Sequence, residues 1–323
     1  MALCTCNGGS FLREQLDSIA AQTLAPGELV VCDDCSTDDS PALLEEFARR
    51  AVFPVRIYRN ESRLGVVRNY SRAVELCRGR YVALCDQDDI WQPDKLAVSR
   101  QGMREAEAEL GGDIPLLLHT DLAVAAGDGA IIAPSLMKLQ KINHVCREPL
   151  KTLLVQNFVT GCTVLLNRPL IKAALPLPAQ VLMHDWWFAL IAAALGKLIF
   201  LPRPTVLYRQ HARNAVGAKK FYSGSSLKRL ARVRQLERMI AQTVNQGLAL
   251  KKRLDELNCQ EPSFLEGYLA TALHDGKKAA SYARSYGIAK QGRLRNAFFL
   301  LLLYKSGYLM QLGDQRAVNC DHR

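Results

Sequence analysis

Three short apolar runs near the start of the chain each break off into polar or acidic side chains, and this repeated ending constrains the fold more than any other feature. Ala2-Leu3-Cys4 runs into Thr5-Cys6-Asn7-Gly8-Gly9, a turn signal. Val30-Val31-Cys32 runs into Asp33, Asp34 and then Ser36-Thr37-Asp38-Asp39. Tyr81-Val82-Ala83-Leu84-Cys85 runs into Asp86, Asp88 and Asp89, followed by Ile90-Trp91. Each run precedes a segment with helical periodicity. Phe11, Leu12, Leu16, Ile19 and Ala20 form one apolar face behind Ser10 as the expected cap; Leu43, Leu44 and Phe47 form another behind Ser40-Pro41. A strand over 55–58 and a helix over 67–76 complete the alternation. Strands alternating with helices predict an α/β fold with a doubly wound, mostly parallel sheet flanked by helices, whose ligands bind at the carboxyl ends of the strands.

Asp86, Asp88 and Asp89 at one strand end repel one another unless a cation lies between them. All-oxygen ligation suits Mg2+ or Mn2+, and Mg2+ is commonly completed by substrate phosphates. An acidic turn capping the next helix fits the same three residues equally well. The upstream strand ends favour the first reading, because three neighbouring strand ends with polar and acidic groups describe a nucleotide site that lacks a glycine fingerprint.

Taken in order, Thr5-Cys6-Asn7-Gly8, Val31-Cys32-Asp33-Asp34-Cys35-Ser36-Thr37-Asp38, Gly65-Val66-Val67-Arg68-Asn69 and Asp86-Gln87-Asp88-Asp89-Ile90-Trp91 resemble the motifs of the family 2 glycosyltransferases with a GT-A fold. His184-Asp185-Trp186-Trp187, Tyr208-Arg209-Gln210-His211 and Asn214 resemble the rhamnosyltransferase-like branch of that family. The likeness extends over roughly residues 1–217, and its specificity lies in order and spacing.

The resemblance implies an inverting transfer from a nucleotide-sugar donor with no covalent sugar–enzyme intermediate. Thr5 and Asp34 would contact the base and ribose of the donor, with Asn7, Arg68, Asn69 and Asp86 also on the nucleotide side. Asp86, Asp88 and Asp89 would hold the divalent ion against the diphosphate, with His211 as a further ligand and Arg209 beside it to neutralise phosphate. Asp185 falls where the family keeps its general base. Gly161, Cys162, Asp121 and Trp186 are expected near the sugar or the acceptor, as is Asn157. The chain departs from the family in having Cys6 where Tyr is usual and Cys35 where Gly is usual.

Read from the residues alone, several of these positions have a structural alternative. Asp185 opens a strongly apolar stretch that ends before Gly196, where an aspartate is an ordinary helix N-cap; a carboxylate at a helix N-terminus is also kept ionised and fixed, which a base requires. His211 and Arg209 fit an ordinary loop nearly as well as a phosphate site. Trp186 and Trp187 suit the core, and Asp128-Gly129 marks a hairpin turn.

The ten cysteines include Cys4, Cys6, Cys32 and Cys35 on expected neighbouring strands, but their spacing matches no common zinc pattern, and reduced, mostly buried thiols are expected. The first strand begins almost at Met1, so no leader is expected ahead of it.

Charge divides the chain. Residues 1–212 carry 22 Lys+Arg and 23 Asp+Glu, a net of −1, whereas residues 213–323 carry 20 and 8, a net of +12. The boundary between a catalytic domain and a basic helical region is therefore placed at 212/213. Leu227, Leu230, Val233, Leu236, Ile240, Val244 and Leu248 form a helical stripe; a second helix is expected over about 264–286, and a third near Arg293, Arg295 and the run from Ala297 to Tyr304. That last run is too short to span a bilayer. No nucleic-acid motif accompanies the basic tail, so no nucleic-acid partner is expected. Arginines beside an aromatic, leucine-rich stretch suit an anionic membrane surface, and a packed helical hairpin suits them as well.

The leading expectation is a glycosyltransferase at the cytoplasmic face of the membrane. It would move L-rhamnose from dTDP-L-rhamnose, or alternatively a hexose from a UDP-hexose, to a lipid-linked saccharide or lipopolysaccharide acceptor. An aspartate-nucleophile phosphatase would place its Asp after the first strand, not the fourth, and is set aside. A non-catalytic nucleotide-sugar-binding protein remains as the third class.

Overall fold

The computed structural model of this chain describes residues 1–211 and 226–306, with the side chains of 226–234 and 306 excepted. Asn214, Cys320 and the first three positions of the expected helical stripe (Leu227, Leu230 and Val233) thus lie outside the described side chains. The chain divides into two compact units. Met1–Val145, Phe158–Leu177 and the stretch from Met183 form the first; Cys146–Asn157, Pro178–Leu182 and the helices from Ser226 onward form the second.

The first unit is built on one mixed sheet. Strands β1 (Ala2–Thr5), β2 (Leu29–Asp33), β3 (Val55–Arg59) and β4 (Tyr81–Cys85) are all parallel, in the order β3-β2-β1-β4. β5 (Ile90–Trp91) follows β4, and β6 (Leu116–Ala126) and β7 (Ile131–Ala133) form the hairpin expected at Asp128-Gly129. β8 (Leu165–Asn167) lies antiparallel between β4 and β6, and β9 (Lys197–Gln210) runs parallel to β6 and antiparallel to β5. The doubly wound, mostly parallel frame is therefore present, with β5, β7 and β8 as antiparallel insertions.

Strand β2 is buried at every position, as a central parallel strand covered on both faces must be. Alternate residues serve different helices. Leu29 and Val31, Ala83 and Cys85, and Leu116 and Leu118 pack with Leu12, Leu16 and Ile19 of α1 (Gly9–Ala20), Leu44 and Phe47 of α2 (Ser40–Arg50), and Leu96 and Met103 of α4 (Lys95–Leu110). Helices α3 (Val66–Leu76) and α8 (His184–Leu195) pack against each other, α3 on β1 and β2 and α8 on β6 and β9. α8 is buried from His184 through Ala192, which explains its lack of a polar face.

The helix starts differ from expectation. α1 begins at Gly9, so Ser10 lies inside it, and Asp38 accepts hydrogen bonds from the N–H groups of both Gly9 (2.8 Å) and Ser40 (3.0 Å). One carboxylate thus serves two helix N-termini, and the Ser40 hydroxyl accepts from Gly8 N–H instead of capping its own helix. α5 (Leu136–Gln140) and α7 (Arg168–Ala174) are capped by Ser135 and Asn167.

The second unit contains α6 (Pro149–Leu153), α9 (Ser226–Glu256), α10 (Ser263–His274), α11 (Gly276–Tyr286) and α12 (Arg293–Ser306). The single helix expected over 264–286 is broken at Asp275, whose side chain accepts from Lys277 and Lys278 N–H and so starts α11. Ile240, Val244, Leu250 and Leu254 continue the buried stripe of α9.

Candidate active site

The carboxyl ends of β1, β2 and β4 share one edge of the sheet, and the direction of β9 brings its own end to that edge. Asp88 on the loop after β4 meets His211, the first residue past β9: Nε2 lies 2.9 Å from Oδ2. Both side chains keep some solvent access. Phe11 of α1 stacks on the His211 ring at 4.4 Å and holds it from the other side.

Asp86 turns the opposite way. Its Oδ1 lies 2.6 Å from the hydroxyl of Tyr70 on α3, which also donates toward the Cys85 carbonyl (2.7 Å). Burial, then the Asp88 charge, push the Asp86 carboxyl up to about 6. Asp89 is fully buried, and neither of its oxygens receives a hydrogen bond of ordinary geometry; the Cys162 thiol and the Arg209 backbone are its polar neighbours. Burial, with the Asp86 and Asp88 charges, raises it well above the usual carboxylate range.

The Tyr70 ring stacks on His184 with centroids 3.7 Å apart. His184 is buried, and burial lowers it to about 3, so it is a neutral imidazole. Its neighbour Asp185 stands in the first turn of α8, where Met183 and not Asp185 is the N-cap. The Asp185 carboxylate accepts from Gly161 N–H (2.9 Å) and Trp186 N–H (2.6 Å). Gly161 belongs to a 3-10 turn, Gly161–Thr163, that leads into β8. A Cβ on Gly161 would lie 2.9 Å from His184 Nε2, so only glycine permits this approach. A packed path thus runs from Asp86 through Tyr70 and His184 to the helix that carries Asp185.

At the other strand ends, Thr5 donates to Asp33 (2.8 Å), which also accepts from Ser36. Asp34 accepts from Asn60 Nδ2 and from Leu64 and Gly65 N–H, and so fixes the turn ahead of α3. Gln87 holds the β1 end by exchanging hydrogen bonds with the backbone of Cys6, and a Cβ on Gly8 would lie 2.3 Å from its Oε1. Asn7 and Cys35 both adopt left-handed backbone, at φ 52° and 60°. Cys35 therefore keeps the conformation that glycine favours, at a cost of about 1–2 kcal/mol.

Several expected ligand contacts are replaced by internal ones. Asn69 accepts from Asn60 and donates to the Cys32 carbonyl, so it bridges the scaffold. Asp121 accepts from Ser135 Oγ and Leu122 N–H and anchors the start of α5. Cys162 is sealed beside Asp89. Arg209 is buried with its guanidinium 3.1 Å from Glu14 and over the Phe11 ring, and so faces α1. Trp186 and Trp187 are both buried, and Trp187 donates to the Ala174 carbonyl. Arg68 is exposed on α3.

Residues 2–109 match the description Glycosyl transferase family 2, and this is the segment that carries the β1, β2 and β4 ends. This match places the segment 2–109 in glycosyl transferase family 2. It is 30% identical over 209 residues to an uncharacterised protein of Mycobacterium tuberculosis, covering 64% of this chain and 57% of that one. It is 27% identical over 251 residues to dTDP-rhamnosyl transferase RfbG of Shigella flexneri, covering 72% of this chain and 79% of that one. Among solved structures, the mannosyltransferase PcManGT from Pyrobaculum calidifontis in complex with GDP-Man and Mn2+ aligns with a TM-score of 0.54 at 17% identity, over 98% of this chain and 79% of that one. S. aureus TarS 1–349 in complex with UDP aligns with a TM-score of 0.51 at 16% identity, over 97% and 90%. These two likenesses establish the GT-A fold. The chain spans 57% of the length of the mycobacterial relative.

Tyr70 joins the site without having been singled out from sequence, because it acts through Asp86 and His184, which are remote in sequence. Gln87 and His184 stood inside quoted motifs but carried no role of their own there.

Proposed function

We propose that this chain is an inverting glycosyltransferase that moves a sugar from a nucleoside-diphosphate donor to a hydroxyl of a lipid-linked saccharide or lipopolysaccharide acceptor. The observation that carries the reading is the meeting of Asp88 with His211 at one sheet edge, beside Asp86, whose bond to Tyr70 leads through His184 to the helix of Asp185. Residues 1–212 form the proposed catalytic domain and 213–323 the helical region.

The two carboxylates suit Mg2+ or Mn2+. Asp86 and Asp88 with His211 would hold the ion, which supplies charge neutralisation of the leaving diphosphate. The nucleotide is placed over the β1 and β2 ends, between Thr5, Asn7 and the Leu64–Gly65 turn that Asp34 fixes, with Arg68 at the rim. Asp185 accepts the proton of the attacking hydroxyl. Two backbone N–H groups orient its carboxylate, and the first turn of α8 favours its ionised form.

L-rhamnose from dTDP-L-rhamnose is the proposed donor sugar. The extended match to the Shigella flexneri rhamnosyl transferase supports it. A UDP-hexose is the second reading, supported by 28% identity over 168 residues to the E. coli enzyme named UDP-Glc:alpha-D-GlcNAc-diphosphoundecaprenol beta-1,3-glucosyltransferase WfgD. Attachment to the cytoplasmic face of an anionic membrane completes the proposal. No described helix is long and apolar enough to cross a membrane. On α12, Leu294, Phe298, Leu301 and Tyr304 form an exposed stripe, with exposed Arg293, Arg295 and Lys305 on the same helix. Phe299, Leu302 and Leu303, which the apolar run alone would have given to lipid, are buried.

The test is a donor panel of dTDP-L-rhamnose and UDP-hexoses, read by nucleoside-diphosphate release with and without a polyprenyl-diphosphate saccharide. Acceptor-dependent release from dTDP-L-rhamnose alone is expected. Release from a UDP-hexose alone would transfer the assignment, and release from no donor would overturn it.

A further inference from the structure

Behind the edge where Asp88 meets His211, the structure holds a second group of ligand atoms. One oxygen each of Asp86 and Asp89 and the sulfur of Cys162 lie within 4.8 Å of one another. Asp89 and Cys162 are both fully buried. A carboxylate with two oxygens sealed from water and without well-formed hydrogen bonds is costly to keep charged. Such a group calls for a cation or a proton.

The donor atoms favour the cation. A sulfur joins two carboxylate oxygens here, and the ammonium of Lys95, also buried at the start of α4, lies 3.5 Å from Thr205 Oγ1.

We propose that Asp86, Asp89 and Cys162 form a second, buried cation site, distinct from the Asp88–His211 pair, that takes a thiophilic divalent ion of the Zn2+ or Co2+ class in preference to Mg2+. A thiolate ligand selects against magnesium, which takes oxygen ligands and keeps its water. Binding expels the protons held by the Cys162 thiol and the Asp89 carboxyl to solvent as the metal–sulfur and metal–oxygen bonds form. Asp86 contributes to both centres, and its bond to Tyr70 then acts as the brace between them. The proposal rests on the functional reading only for the separate role of Asp88 and His211.

The experiment uses the full chain, stripped with a chelator and titrated with Co2+ in the absence of any nucleotide. One equivalent should give a near-ultraviolet sulfur-to-cobalt charge-transfer band. Cys162→Ser should abolish the band, Asp89→Asn should weaken it, and His211→Ala should leave it in place. Cys162→Ser should also lose Zn2+ to a competing chelator more than about 100-fold more readily than the parent. Zinc-edge X-ray absorption on the unsubstituted chain reads sulfur in the coordination shell without relying on a variant that folds. Zinc with only nitrogen and oxygen neighbours, no cobalt–thiolate band, or a band that survives Cys162→Ser would each overturn the proposal and leave Asp89 as a protonated partner of the Cys162 thiol. Because none of these readings uses a donor, failure of the sugar-transfer reading would appear separately, as absence of nucleoside-diphosphate release.

Discussion

His211 Nε2 lies 2.9 Å from Asp88 Oδ2 across 123 residues of chain. The pair closes the loop after β4 onto the end of β9, and each side chain is only partly buried. Breaking a hydrogen-bonded pair this enclosed costs about 1–3 kcal/mol. Asp88→Asn and His211→Ala should therefore lower the thermal midpoint only modestly. Asp88→Asn should abolish metal-dependent donor binding, and His211→Ala should raise the Mg2+ or Mn2+ concentration it requires by about 10–100-fold. Calorimetric titration of a nucleoside diphosphate at several metal concentrations measures both. Donor affinity that is unaffected by EDTA and by Asp88→Asn would contradict the assignment.

Asp185 is expected to act as the base, and its surroundings shape the result of replacing it. Two N–H donors point at its two oxygens. An amide retains one oxygen and turns a second N–H toward one of those donors. Asp185→Asn should cost about 1–3 kcal/mol of stability. Loss of the proton acceptor should lower kcat by about 10²–10⁴. Working well below the melting temperature separates the two effects, because donor binding should persist while turnover falls. Turnover that declines only in step with the folded fraction would make Asp185 a scaffold residue.

The strand ends were legible from sequence because apolar runs and carboxylates are local signals. Asp86 and Asp88 could be selected in that way, and the turn at Asp128-Gly129 carried its own dipeptide signal, whereas His211 stood out only through the family resemblance. Partner choice was not legible. Asn69, Asp121, Cys162 and Arg209 have the right chemistry for a ligand, but their hydrogen bonds and ion pairs go to Asn60, Ser135, Asp89 and Glu14 or to neighbouring backbone, and only the packed fold selects those partners. The Asp185 position in a helix first turn was readable, whereas its bond to Gly161 N–H depends on a turn brought in from elsewhere. The break at Asp275 had a signal, an aspartate followed by glycine, that the apolar periodicity on either side obscured.

A pH dependence follows from His119. It is fully buried on β6, its Nδ1 lies 3.4 Å from His144 Nδ1, and it sits among the rings of Phe158 and Phe200. Burial, and secondarily the His144 charge, lower it from 6.5 to about 3. The folded state thus binds the proton less readily than the unfolded chain. Stability from this group is fully present above about pH 6.5 and is lost as pH falls toward 3, at about 1.4 kcal/mol per pH unit. Asp86, raised by burial, acts with the opposite sign and stabilises on acidification. Since Asp86 is common to both proteins, comparing the parent with His119→Leu isolates the histidine. Denaturant midpoints between pH 4 and 7 (roughly the window set by these shifts) should fall less steeply in the variant. Parallel profiles would show that His119 takes up its proton in the folded chain.

The last prediction concerns the exposed stripe of α12. Leu294, Phe298, Leu301 and Tyr304 recur at helical spacing opposite the buried Phe299, Leu302 and Leu303. Lys277 of α11 lies 5.5 Å over the Tyr304 ring, and Arg293, Arg295 and Lys305 are exposed on α12 itself. Apolar side chains gain about 1.5–3 kcal/mol each when fully removed from water. Basic residues near an anionic leaflet add about 1 kcal/mol apiece, an amount that salt screens. The chain should therefore sediment with anionic vesicles and be partly released by high salt, and it should bind neutral vesicles weakly. A Leu294→Ser, Phe298→Ser, Leu301→Ser variant changes only exposed positions, so its fold should survive while vesicle binding is lost. Replacing Lys277 and Lys305 with Gln should steepen nothing in folding but should flatten the dependence on anionic lipid content. Equal binding to neutral and anionic vesicles, or binding unaltered by the triple substitution, would place the membrane contact elsewhere or remove it.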